Sequence, residues 1–253
     1  MEPNKAYRQR RRRRRRSPLG RVFRFCLICL VLFFGISVFF QVSAIYVNGE
    51  TRYSSAEVIE AAGVGYGTRL FLVNNSAVES GIRARLPFAN EVEVSRRFPS
   101  RLEITVNDAA PIAAVWSENG YLILDKQSRV LERGDRSLAE GLISIQGVNP
   151  ILPVEGQVLV LGDEEREKVA YLRELLSALA AAGIADQVES IDLSRATDLR
   201  LRYADRFEVH FGPNRHVEEK VRALVRVSEA LGDLERGVID LSQGRNAYFR
   251  PAT

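Results

Sequence analysis

With 253 residues, 36 Lys and Arg, 32 Asp and Glu and only two cysteines, the chain is long enough for more than one hydrophobic core and too poor in cysteine for a disulfide scaffold. Its net charge of +4 is unevenly spread: residues 1–24 hold eleven of the basic side chains and only Glu2 of the acids, so they carry +10 and leave −6 on the remainder. A nucleic-acid-binding domain carries its basic face on its folded part, so this distribution argues against nucleic acid as a partner.

The basic residues culminate in Arg10, Arg11, Arg12, Arg13, Arg14, Arg15 and Arg16, followed by an uncharged run from Phe25 to Val42. A helix needs roughly 20 predominantly apolar residues to cross a bilayer, and flanking arginines stay on the cytoplasmic side. The arginines therefore read as topology determinants that also meet anionic headgroups, with residues 25–44 as a single N-terminal transmembrane helix. Val42-Ser43-Ala44 has the small residues of a signal-peptide cleavage site, but the apolar run exceeds the roughly 7 to 15 residues of a signal core, which favours an uncleaved anchor. Cys26 and Cys29 have CxxC spacing inside this run, yet a lone apolar helix supplies neither metal partners nor thiolate-stabilising neighbours.

Beyond the anchor, Ala44 to Val47 reads as a short strand turned by Asn48-Gly49. Ser54 and Glu57 form a capping box opening a helix that ends at Gly63. Gly63-Val64-Gly65-Tyr66-Gly67 follows a helix rather than a strand, so it reads as a tight connection and not a phosphate loop. Val78, Ile82 and Leu86 share the inner face of a second helix, from about Ser76 to Leu86, which Pro87 stops. Val92 and Val94, then Leu102, Ile104 and Val106, alternate with polar residues as two half-buried strands around a turn at Phe98-Pro99-Ser100.

This strand-helix-helix-strand-strand order directly after an anchor, with Val47-Asn48-Gly49, Gly67-x-x-Leu70-Phe71, Arg96-x-x-Pro99-x-x-Leu102-x-Ile104-x-Val106 and Pro111-Ile112-Ala113, resembles the POTRA module of the FtsQ/DivIB bacterial cell-division proteins. The chain departs from that family's usual pattern at Asp108, at Ser128 in place of a turn glycine, and between Leu142 and Gly147, where a proline is frequent. The resemblance implies an α+β fold: a basic cytoplasmic tail (1–24), the anchor (25–44), a POTRA-like βααββ domain (45–111) and a larger mixed β domain with two or more helices (112–253).

In that second part Trp116, Tyr121 to Asp125, and Val130-Leu131 continue as strands. Asp163 is positioned to cap a helix whose Val169, Leu172, Leu175, Leu176 and Leu179 form an apolar stripe ending at Gly183, a pattern expected for core packing. Strands at Ile191-Leu193, Leu199-Leu201 and Phe207-Phe211 precede a helix bearing Val217, Val221, Leu224, Val225 and Leu231. The last strands fall at Val238 to Leu241 and Ala247 to Arg250, and no internal repeat is evident.

Neither His210 nor His216 has metal-ligand spacing, and no Gly-x-Ser-x-Gly elbow occurs. We expect no enzyme activity, no cofactor and no small-molecule substrate. The resemblance implies instead a scaffold at the division septum that binds FtsB/DivIC-like and FtsL-like proteins outside the cytoplasm and helps control the septal synthase complex. Carried onto this chain, the contact segment is Ala247, Tyr248, Phe249 and Arg250, on a terminal strand able to accept a partner strand. Alternation sends Tyr248 and Phe249 to opposite faces without fixing which one is exposed. The alternative is a POTRA-bearing component of outer-membrane protein assembly or secretion, normally joined to a C-terminal β-barrel that this sequence does not display.

Overall fold

The computed structural model describes residues 18–232, 234–243 and 246–252; the expected topology determinants Arg10 to Arg16 lie outside these residues. Helix α1 (Pro18–Phe39) has 22 residues, about 33 Å at 1.5 Å per residue. Its side chains from Val22 to Leu32 are exposed, and both cysteines carry free thiols. Among the described residues no helix is long and apolar enough to cross a membrane.

The first module runs β1 (Ala44–Asn48), α2 (Ser55–Ala62), α3 (Asn75–Arg85), β2 (Ala89–Arg97) and β3 (Arg101–Asp108), with sheet order β1-β3-β2. β1 pairs parallel and β2 antiparallel with the central β3. The Ser54/Glu57 capping box forms, with Glu57 accepting from the Ser54 N–H at 2.8 Å, and Gly63 closes α2 in the left-handed region. Leu70 to Leu72 form a single 3-10 turn, and Asn74 caps α3. Leu102, Ile104 and Val106 bury their side chains against Val58, Val78 and Ile82 of the helices. Each such side chain contributes roughly 1.5–3 kcal/mol on burial.

Helix α3 also seals the outer edge of β2. Arg83 donates to the carbonyls of Asn90 (3.3 Å) and Val92 (3.1 Å), Asn75 donates to Val94 (2.6 Å), and Glu79 accepts from the Val94 N–H (3.3 Å).

The second module is one nine-stranded sheet in the order β12-β11-β10-β9-β8-β7-β4-β5-β6. Its strands are β4 (Ala113–Ser117), β5 (Gly120–Leu124), β6 (Val130–Gly134), β7 (Ile143–Gln146), β8 (Val188–Asp192), β9 (Leu199–Tyr203), β10 (Phe207–Gly212), β11 (Gly237–Asp240) and β12 (Tyr248–Pro251). Helices α4 (Arg166–Ala182) and α5 (Val217–Ala230) pack on one face with Leu172, Leu175, Leu176, Leu179, Val221 and Leu224 in its core. The expected Asp163 cap does not form: Asp163 begins a 3-10 turn and pairs at 2.8 Å with the exposed Arg166. The helix starts three residues later, at Arg166, and Glu165 at its N-cap position makes no capping bond, accepting instead from Lys168 (2.6 Å) and from the Asn149 N–H (3.3 Å).

A repeat is present after all. β7-α4-β8-β9 and β10-α5-β11-β12 are the same unit: a parallel crossover, β7 with β8 and β10 with β11, followed by an antiparallel strand. Both helices carry a Glu-Lys-Val triplet, at 167–169 and 219–221, and both units contain Ile-Asp-Leu-Ser, at 191–194 and 239–242. In each, the Asp Oδ1 accepts the Ser hydroxyl at 2.6 Å and the Ser N–H at 2.8 or 2.9 Å. Each first strand ends at a glycine with positive φ, Gly147 (75°) and Gly212 (73°), where a Cβ would strike Ser194 or Ser242. The long connection from Gly147 to α4, against the short one from Gly212 to α5, hides this periodicity from a fixed-period reading of the sequence.

The modules meet at a small apolar contact of Phe88, Ala109 and Leu131 with Tyr53 against it. Arg52 covers the Phe88 ring at 3.4 Å. Arg129 pairs with the buried Asp125 at 2.8 Å and reaches Asn90 of the first module at 3.2 Å. The same Asp125 turn holds Ser128 at φ 60°, with its buried Oγ lacking a hydrogen-bond partner among the described residues. A left-handed non-glycine residue costs roughly 1–2 kcal/mol, so Ser128→Gly should raise the unfolding free energy by about 1 kcal/mol. Denaturant titration should show a higher midpoint at an unchanged slope.

Candidate functional site

Two in-register rows cross the C-terminal half of the large sheet. On the helix side, Ile191, Leu201, Val209, Ile239 and Phe249 are successive neighbours across β8 to β12. On the opposite side the matching row is Asp192, Arg200, His210, Asp240 and Tyr248. Apolar alternate residues must face the helices, so the first row is buried up to Ile239 and ends on a half-buried Phe249. The Phe249 ring meets Phe207 edge-on, with centroids 6.1 Å apart. Tyr248 closes the polar row and is 54% exposed.

The four residues expected at a contact segment are thus placed as follows. Ala247 and Phe249 pack partly against the core. Arg250 reaches Asp240 at 3.3 Å, and Tyr248 projects from the solvent face. Hydrogen bonds from Ser242 hold the Asp240 carboxyl below the usual carboxylate range, and Ser194 does the same for Asp192.

The two ends of this sheet differ. β6 is overlaid by residues 156–159: Val130 donates to the Gln157 carbonyl (2.8 Å), and its own carbonyl accepts from the Gly156 N–H (2.7 Å). β12 pairs only with β11, so its outer edge has no strand partner among the described residues. Ala252 donates inward to the Arg236 carbonyl at 2.8 Å. Alternation then turns the backbone nitrogen of Pro251 outward, and proline has no proton there to offer, so it terminates the row of free donors. Among the described residues the outer edge of β1 in the first module is also without a strand partner.

The sequence reading passed over Lys220, although the duplicated Glu-Lys-Val triplet marks it. Its side chain is buried and donates to the carbonyls of Phe211 (2.7 Å) and Pro213 (2.9 Å), just before α5. Tyr171 of α4 donates to the Gly212 carbonyl between them at 2.9 Å. The equivalent Lys168 donates to the Gly147 carbonyl at 2.8 Å. Both lysines therefore fix the corner from which each crossover leaves the sheet.

His210 lies 3.2 Å from Glu208 and His216 lies 3.6 Å from Glu219. Among the described residues no three His, Cys, Asp or Glu side chains are grouped to hold a metal.

A βααββ module is the element order of a POTRA domain, and here it is followed by a nine-stranded sheet whose last strand has no outer partner among the described residues. Residues 40–108 match the FtsQ-type POTRA domain, and residues 114–242 match the C-terminal domain of cell division protein FtsQ/DivIB. The chain belongs to the FtsQ/DivIB family of cell-division proteins. It is 22% identical to cell division protein DivIB of Clostridium botulinum over 83% of this chain and 82% of that one. Against cell division protein FtsQ of Corynebacterium glutamicum it is 24% identical over 81% and 88% of the respective chains. For FtsQ of Myxococcus fulvus the figures are 29%, 76% and 66%. Neither domain match supports the alternative of an outer-membrane assembly component.

Burial pushes the Lys220 ammonium down to about 8, with the nearby Arg215 cation acting in the same direction. Lys220→Met leaves the Phe211 and Pro213 carbonyls without this donor and should cost about 1–3 kcal/mol at pH 7. Between pH 8 and 10.5 the unfolded chain retains the lysine proton that the folded chain has released, so wild-type stability rises with pH through that group. Melting curves across this window should show the gap between wild type and Lys220→Met widening as pH increases.

Proposed function

We propose that this protein is a non-enzymatic, single-pass scaffold of the division septum, with residues 1–24 in the cytoplasm, 25–44 in the membrane, and the POTRA (45–111) and β (112–253) domains outside the cytoplasm. Arg10 to Arg16 set that orientation, and the uncharged run from Phe25 to Val42 in the sequence supports the span. The β domain captures a strand from a small FtsB/DivIC-like or FtsL-like division protein and so helps assemble and regulate septal peptidoglycan synthesis. The observation carrying this reading is the outer edge of β12, which has no strand partner among the described residues, at the end of a sheet whose opposite edge is overlaid.

The repeat supports an orientation for the incoming strand. β12 stands to β11 as β9 stands to β8, and the position beside β9 is filled by the antiparallel β10. The vacant position beside β12 is the equivalent one, so the partner runs antiparallel. An apolar partner residue opposite Phe249 would extend the buried row, while main-chain hydrogen bonds supply affinity. Tyr248 contacts the partner on the other face, by cross-strand packing.

Tyr248→Asp should weaken capture of the FtsB/DivIC-like partner about tenfold or more while leaving the melting curve close to wild type. Phe249→Asp should cost about 2 kcal/mol or more of stability, because it puts a charge against Phe207. Unchanged capture by a folded Tyr248→Asp protein would remove the tyrosine from the contact. Depletion of the native protein in cells carrying a fluorescent copy should give a midcell band and, when the copy is Tyr248→Asp, filaments; uniform fluorescence in normally dividing cells would overturn the reading.

A further inference from the structure

Four phenylalanine rings converge where α1 joins the first module. Phe40 lies 5.5 Å from Phe39, 4.9 Å from Phe71 and 5.9 Å from Phe98, and Phe71 lies 5.4 Å from Phe98. The cluster is nevertheless open to solvent: Phe71 is 54%, Leu72 71% and Phe98 59% exposed. Single exposed apolar residues need no explanation, but a contiguous group of this kind marks a contact surface.

The join contains no linker. One residue after α1 ends, the Phe40 carbonyl accepts from the Leu70 N–H at 2.9 Å. Gln41 bridges to Arg69, and Val42, fully buried, donates to Thr68 (2.8 Å) and accepts from Gly67 (2.9 Å). Ser43 then donates to the Ser100 carbonyl at 2.8 Å, immediately after the Phe98-Pro99 turn. The loops carrying Phe71, Leu72 and Phe98 are therefore pinned to the end of α1, and whatever medium surrounds Phe39 also meets them. Arg69 and Arg96 flank the patch, are exposed and form no ion pair among the described residues.

We propose that this patch is a membrane-contact surface, with Phe71, Leu72 and Phe98 seated in the headgroup and upper acyl region of the leaflet from which α1 emerges, and Arg69 and Arg96 against anionic headgroups. This rests on the reading of α1 as a membrane span. Three features of the patch select lipid as the occupant: its continuity with the end of α1, its aromatic composition, which suits the bilayer interface, and its two unpaired cations. The contact fixes the POTRA module on the bilayer rather than letting it swing on a tether, and so sets the direction in which the β domain leaves the membrane.

The test uses the full chain reconstituted in phosphatidylethanolamine/phosphatidylglycerol vesicles, with the single tryptophan removed by Trp116→Phe. Phe71→Trp should then give a blue-shifted emission quenched by lipids brominated near the headgroup and shielded from aqueous acrylamide, the shielding falling when phosphatidylglycerol is omitted. Leu30→Trp, placed within α1, reports the span itself through deeply brominated lipids. Quenching at both positions supports the proposal. A quenched Leu30→Trp beside a water-exposed Phe71→Trp overturns the membrane contact and leaves the anchor standing, whereas lipid quenching at neither position overturns both.

Discussion

Strand pairing satisfies backbone hydrogen bonds only on the sides that have a neighbour, and most of this architecture is a response to that constraint. Each sheet end must be covered, capped or left for another chain. In the first module α3 turns Asn75, Glu79 and Arg83 onto the outer edge of β2, substituting side-chain groups for a missing strand. In the second module the segment at 156–159 lies over β6. At β12 no such device is present among the described residues, and Pro251 only limits how far pairing can run. The unequal treatment of the edges is more informative than any individual side chain, because among the described residues it leaves the edge at the end of the duplicated unit without a strand neighbour.

The duplicated unit also explains why that edge is well defined. Both crossovers leave the sheet at a glycine that must adopt positive φ close to a serine backbone, and both corners are tied by a lysine from the following helix. Both second strands end in an Asp-Leu-Ser turn whose carboxylate is satisfied by the serine hydroxyl and N–H. These local ties hold the last strands in register with the core row. Phe249 is consequently a packing residue even though it lies on the edge strand, and Tyr248 is the side chain offered outward.

Local chemistry was the part most legible in the sequence. The Ser54/Glu57 box, the left-handed Gly63 and the alternation of Leu102, Ile104 and Val106 are governed by neighbours a few residues away, and each formed as its pattern implies. Asp163 shows the limit of that reasoning, since it opens a 3-10 turn and pairs with Arg166, and α4 begins three residues on without a side-chain cap. The burial of Lys220 and the facing of Tyr248 depend on pairing partners distant along the chain, so no local pattern contained them. The repeat was visible in residues, as Glu-Lys-Val and Ile-Asp-Leu-Ser, but unequal loops shift its halves by different amounts and conceal a single period.

The two joints of the described chain impose complementary requirements. At the N-terminal junction, backbone bonds from Phe40 to Ser43 leave little freedom between α1 and the POTRA sheet. At the module boundary, Phe88 is held between Arg52 and Leu131 while Arg129 ties Asp125 to Asn90. A flexible tether would let the β12 edge sample many heights and orientations, diluting its effective concentration toward a partner anchored in the same bilayer. Two stiff joints in series instead narrow that distribution. On the proposed reading, a short partner strand would gain affinity from restricted geometry as well as from its hydrogen bonds, which a contact edge only four residues long requires.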